Sequence, residues 1–100
     1  MERKEVGSAI AYQNDEGVIY LVSPISDCAG ILGVTGVPVS DPKEDLDEIF
    51  QEEGLTKLVL FVEEHNDHFI KMARSLGFKQ EGRLKNACST GDYLVFGQFR

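Results

Sequence analysis

The chain has 100 residues, enough for one domain (residues 1–100) with a single core, and 42% of them are hydrophobic, as in an ordinary globular protein. Seventeen acidic residues against ten basic ones give a formal charge of −7, which sets the surface against phosphate backbones and anionic lipid and excludes nucleic acid and membrane as partners on charge grounds. No apolar run approaches the ~20 residues of a spanning helix, and the opening MERKEV is charged with no apolar region behind it, so a cytoplasmic location is expected.

Val6 to Gln13 alternates weakly and reads as a strand. Asn14-Asp15-Glu16-Gly17 is a turn, and Val18 to Ser23 (VIYLVS) is a second strand closing a hairpin. Pro24 to Asp27 interrupts it, and Ala29 to Val39 (AGILGVTGVPV) is a third extended run carrying Gly30, Gly33 and Gly36. Glycine inside a strand marks either a bulge or a close approach, and Gly33 and Gly36 fit both readings. In Ser40-Asp41-Pro42-Lys43-Glu44 a helix starts, with Asp41 as cap, Pro42 in the first helical position and Glu44 completing a capping box. Leu46, Ile49 and Phe50 form its apolar stripe; Asp45, Asp47, Glu48, Glu52 and Glu53 are expected to face water, and Gly54 ends it.

Lys57 to Val62 (KLVLFV) is an apolar run rich in branched residues, the pattern of a buried strand. With the preceding strand and helix it makes a β-α-β unit, whose strands run parallel with a right-handed crossover. Asn66 caps a second helix, with Asp67 in its first turn. Phe69, Ala73 and Leu76 share one face, beside Met72; Gly77 suits a left-handed C-cap, and Phe78 packs back. Phe78 to Ala87 and Tyr93 to Phe99 then pair across Ser89-Thr90-Gly91-Asp92. The fold class is α/β (α+β): a mixed sheet of about six strands with two helices, in the order β-β-β-α-β-α-β-β.

Several clusters carry chemistry in principle. Glu63-Glu64-His65-Asn66-Asp67-His68 holds possible metal ligands but lacks a distant fourth one, and a solvated strand-to-helix connection explains it, so no metal is expected. Cys28 and Cys88 have no metal-like spacing and read as buried free thiols. No local base or oxyanion hole supports Cys88 or Ser89 as a nucleophile. Tyr12, Tyr20 and Tyr93 read as packing residues, Tyr93 becoming a candidate acid if its hydroxyl meets a cleft. Lys71, Arg74, Lys79, Arg83 and Lys85 are the only basic cluster.

The strand, the helix opened by Asn66, Gly77-Phe78, and Glu81-Gly82-Arg83 before a final hairpin together resemble the GNAT (GCN5-related N-acetyltransferase) superfamily of acyl-CoA-dependent enzymes. The resemblance is close from Lys57 onward and by strand order extends over the whole chain. It implies a fold in which two parallel strands splay to admit pantetheine, and a glycine-rich turn before the first shared helix whose amides hold the pyrophosphate. This chain departs from it in three places. Where the phosphate turn belongs stands Val39-Ser40-Asp41-Pro42-Lys43-Glu44-Asp45, with a proline that lacks an N–H and three carboxylates (Asp41, Glu44, Asp45) facing an anionic ligand. Where many members place a tyrosine acid stands Ala73. The strand and two helices that open the family fold and build its acceptor pocket are expected to be missing.

The resemblance with these departures implies a truncated, degenerate member: no cofactor, no identifiable catalytic residue, and a role in binding another protein or in assembly. A homodimer formed by strand pairing or swapped C-terminal strands, or a partner that completes the fold, is expected. The alternative is an active acyl-CoA-dependent N-acetyltransferase with an atypical site, holding acetyl-CoA through Val37, Val39 and Asn66.

Overall fold

The computed structural model describes residues 1–36 and 42–100. Strands β1 (Glu2–Val6), β2 (Ala9–Gln13), β3 (Ile19–Pro24) and β4 (Ala29–Thr35) precede helix α1 (Lys43–Glu53); β5 (Lys57–Glu63), α2 (Asp67–Ser75), β6 (Lys79–Cys88) and β7 (Gly91–Phe99) follow. They form one mixed sheet of seven strands in the order β1-β2-β3-β4-β5-β7-β6, with β4 and β5 parallel and every other neighbour antiparallel. The mixed sheet, its two helices and their order agree with the sequence.

The N-terminal run does not. Val6 to Gln13 is not one strand, because Gly7 adopts φ +62° and turns the chain through Gly7-Ser8 into a tight hairpin. The charged stretch ahead of it, ERKEV, becomes β1, an added edge strand with every residue exposed. The chain thus has a strand ahead of the expected first one, and a two-residue turn, with no helix, joins it to β2.

Side chains alternate between two faces, and the register fixes which residues share one. Tyr12 lies opposite Tyr20, Val22 opposite Leu32, Gly30 opposite Leu58, Leu60 opposite Phe96 and Val62 opposite Leu94, all on one face. That face is the core, closed by Leu46, Ile49 and Phe50 of α1 and by Ala73, Leu76 and Phe78 at and after α2. Both helices lie on this side: α1 reaches Tyr12 and Tyr20, while Leu76 at the end of α2 accepts a hydrogen bond from Gln98 Nε2 at 2.7 Å.

Two carboxylates of α1 depart from expectation. Asp45 and Glu53 turn to the sheet because two buried tyrosines need acceptors for their hydroxyls. Tyr20 Oη donates to Asp45 Oδ2 at 2.8 Å, and Asn14 Nδ2 donates to the same oxygen at 3.1 Å. Tyr12 Oη donates to Glu53, which also accepts from Arg3 Nε at 3.0 Å. Burial and the carboxylate partner push both tyrosine pKa values up. Burial works against the charge on Glu53, but hydrogen bonds from Arg3 and Tyr12 outweigh it and hold its pKa below the usual carboxylate range.

A carboxylate with a lowered folded-state pKa contributes stability above its unfolded pKa and loses that contribution as pH falls through the folded value. Urea denaturation should therefore show stability falling between roughly pH 5 and pH 2. Glu53→Gln should start less stable at neutral pH and lose less on acidification; an identical acid slope in both proteins would remove Glu53 from the account.

Candidate functional site

The parallel pair β4 and β5 sets the geometry of the central sheet. Three rungs join them, Ala29 to Lys57, Gly30 to Leu58 and Ile31 to Val59, and there the ladder stops. Both strands continue: β4 stays paired with β3 as far as Thr35, and β5 with β7 as far as Glu63. The two parallel strands therefore part towards their C-terminal ends, the side of a parallel sheet on which ligand crevices open. The β3–β4 register runs without a shift past Gly33, so the parting occurs without a bulge there, and Gly36 (φ +89°) follows the end of β4.

Beyond β5, Asn66 opens α2 as expected: its Oδ1 accepts from the Phe69 amide at 3.1 Å. Asn66 also lines a shallow groove with Phe61, Val62, Glu63, Phe69 and Tyr93, and Phe61 and Tyr93 continue into a second groove with Leu84 and Ala87. Tyr93 thus lines both grooves. At the other end of α2, Gly77 takes φ +90° after the last turn, a backbone conformation that favours glycine, and a Cβ there would displace Gln98 Nε2, 2.7 Å away, from its place beside the Leu76 carbonyl.

At the start of α1, Pro42, which lacks an N–H, stands at the half-in position and its carbonyl accepts from Leu46 N at 3.0 Å; among the described residues no side chain caps the helix. The helix begins one residue later than the capping-box spacing implies. Of the three carboxylates expected to face an anion, Asp45 is drawn to Tyr20, Glu44 is exposed, and Asp41 lies outside the described residues, as do Val37 and Val39.

The connection after β5 is tied down by charge. Arg83 Nη1 donates to Glu64 Oε2 at 2.8 Å and to Asp92 Oδ2 at 2.9 Å, and Glu64 Oε1 accepts from the Asp92 amide at 3.2 Å. The Asn86 amide and Arg83 hold the Asp92 carboxyl below its usual range. His65 Nε2 lies 3.4 Å from the same Glu64. Among the described residues, no three His, Cys, Asp or Glu side chains are arranged to hold a metal. Both cysteines are free, but Cys28 is exposed and Cys88 half-buried: Cys28 sits in the β3–β4 turn, where its carbonyl, not its thiol, is the structural group, accepting from the Thr56 and Lys57 amides.

The face of the sheet opposite the helices is the larger feature. Five of the six large hydrophobic residues with high exposure lie on it: Val6 (51%), Leu21 (39%), Phe61 (39%), Leu84 (46%) and Phe99 (76%). Half-buried Ile19, Ile31, Val59, Val95 and Tyr93 lie between them. Charges on its strands stand at the margins and balance: Glu2 and Lys4 on β1, Lys57 and Glu63 at the ends of β5, Lys79 and Glu81 on β6, with Lys57 and Glu81 ion-paired.

Solved structures share this arrangement. A ribosomal-protein-S5-alanine acetyltransferase from Vibrio fischeri matches 92% of this chain and 62% of its own, with a TM-score of 0.74 and 17% identity. A GNAT family acetyltransferase from Elizabethkingia anophelis, solved with acetyl-CoA bound, matches 93% of this chain and 77% of its own (TM-score 0.75, 12% identity). The dodecameric spermidine N-acetyltransferase of Vibrio cholerae matches 91% of this chain and 63% of its own (TM-score 0.72, 13% identity). The fold is that of the GNAT acetyltransferases.

No protein-family model and no curated protein matches the sequence. The GNAT-like chain spans about 62–63% of the length of the first and third of these structures. Of the residues the sequence offered for acyl-CoA, only Asn66 is among those described. It stands where β5 gives way to α2, at the end where β4 and β5 part. The bare face was not singled out residue by residue, although Phe61, Leu21 and Val95 carry its signal: apolar residues on both parities of a strand. Asn66→Ala should cost about 1 kcal/mol of stability through loss of the cap, read as a lower urea midpoint at unchanged slope; no loss would show that the cap is redundant.

Proposed function

We propose that this GNAT-like domain is a protein-binding or assembly module that no longer transfers acetyl groups from acetyl-CoA. The observation that carries the reading is the uncovered apolar face of the sheet. Water-exposed Leu21, Phe61 and Leu84 on one face of the sheet are costly for a chain that stays alone, and covering such a surface is worth roughly 25 cal/mol per Å² before the costs of association. Three features support the loss of transfer. Pro42 withholds an amide where the resemblance calls for phosphate-binding amides, Ala73 stands at the acid position, and a two-residue turn joins β1 to β2 where the resemblance implies two helices and an acceptor pocket.

One observation favours the alternative, an acyltransferase with an atypical site: β4 and β5 part as a pantetheine-binding pair would. In that case Asn66 lies beside the thioester arm and Tyr93 is the side chain placed to return a proton. The two readings separate by thermal stability in acetyl-CoA. A ligand at 100 times its dissociation constant adds about 2.7 kcal/mol to a domain that binds it. The module reading predicts no change in Tm at millimolar acetyl-CoA, and a dose-dependent rise would establish the alternative.

A further inference from the structure

We propose that the occupant of the bare face is a second copy of this chain, packed sheet against sheet across a twofold axis. This rests on the binding reading above and specifies its partner. Three observations point to self-association. First, β3, β4, β5 and β7 carry Leu21, Ile31, Val59, Phe61 and Val95 on the face that the helices leave uncovered, with charge only at the two ends of β5; the middle of that face has the make-up of an interior layer. Two such sheets stack about 10 Å apart with their side chains interleaved, each supplying the cover the other lacks.

Second, charge permits it. A net charge of −7 per chain would oppose pairing if it were spread evenly. Instead α1, on the far side, carries six carboxylates and one lysine, while the strand charges of the bare face are three of each sign. The margins at β1 and β6 each hold both signs, so neither orientation of a twofold stack sets like wholly against like. Third, the area suffices. Seven strands about 4.8 Å apart, each with about 20 Å of length, present roughly 600–700 Å², near the ~800 Å² per partner of a standard stable interface.

The edges are poorer routes to the same end. β1 reads ERKEV, exposed throughout and charged at four of its five residues, and β6 is broken by register shifts after Gln80 and Leu84. Charged and bulged edges resist strand addition, so the face, rather than the edge, is the surface that self-associates.

Sedimentation equilibrium of the full chain tests this. The expected result is a mass near twice 11.1 kDa in the micromolar range. Leu21→Glu and Phe61→Glu each lie at exposed positions and should fold, as circular dichroism will show, while weakening the dimer by at least about thirtyfold, the loss typical of a buried anchor at an interface. Lys71→Glu, exposed on α2, should leave the equilibrium unchanged. Sulfate should tighten the wild-type dimer, as for an apolar interface. A monomer at all concentrations, or a dimer indifferent to both glutamate substitutions, overturns self-association. The binding reading itself fails separately, if acetyl-CoA stabilises the monomer.

Discussion

The structure turns on a mismatch between a sheet with two apolar faces and helices that cover only one of them. Leu58, Leu60 and Val62 of β5 point into a closed core, and Val59 and Phe61, one residue out of phase, point the other way, Val59 half-buried and Phe61 exposed. An antiparallel sheet can leave one face to water when that face is polar. Here the central strands keep isoleucine, leucine, valine and phenylalanine on it, and charge stands on the marginal strands and at the two ends of β5. Such a layer is stable in water at a cost that association removes.

The covered side is arranged around α1, and its chemistry explains the acidic composition. Buried Tyr12 and Tyr20 need acceptors, and Glu53 and Asp45 meet them from the helix above; Arg3, from the edge strand, returns charge to Glu53. The carboxylates that in a transferase of this fold would crowd an anionic cofactor are thereby partly consumed as structural partners. The same helix gathers the negative charge away from the bare face. The excess of negative charge and the exposed apolar residues end up on opposite sides of the molecule, which measures 34 × 30 × 25 Å along its principal axes.

Much of this was legible in the sequence. Periodicity placed β5, both helices and the closing hairpin, and the Asn66 cap and Gly77 stop were readable because each rests on one residue's local chemistry. Gly7 was less readable: a single turn glycine inside weak alternation does not announce a hairpin, and the charged ERKEV gives no apolar face by which to recognise a strand. Asp45 and Glu53 looked like solvent residues since helical spacing alone cannot reveal tyrosine hydroxyls on a distant strand. KLVLFV signals a buried strand, and the structure buries Leu58, Leu60 and Val62 while Val59 stays half-buried and Phe61 exposed. What local sequence could not supply was which of its faces this chain covers. Pro42 and Ala73 differ from the GNAT pattern at single positions, whereas the parting of β4 and β5 is a property of register and needed coordinates.

The most direct measurement is solvent labelling of the bare face by hydroxyl-radical or carbene footprinting across a dilution series. Reactivity at Leu21, Phe61 and Tyr93 should fall as concentration rises, while that of residues on the helix side, such as Met72, stays constant. Equal labelling of Leu21 and Phe61 from dilute to concentrated protein would mean that this face stays open to water, and would contradict the account.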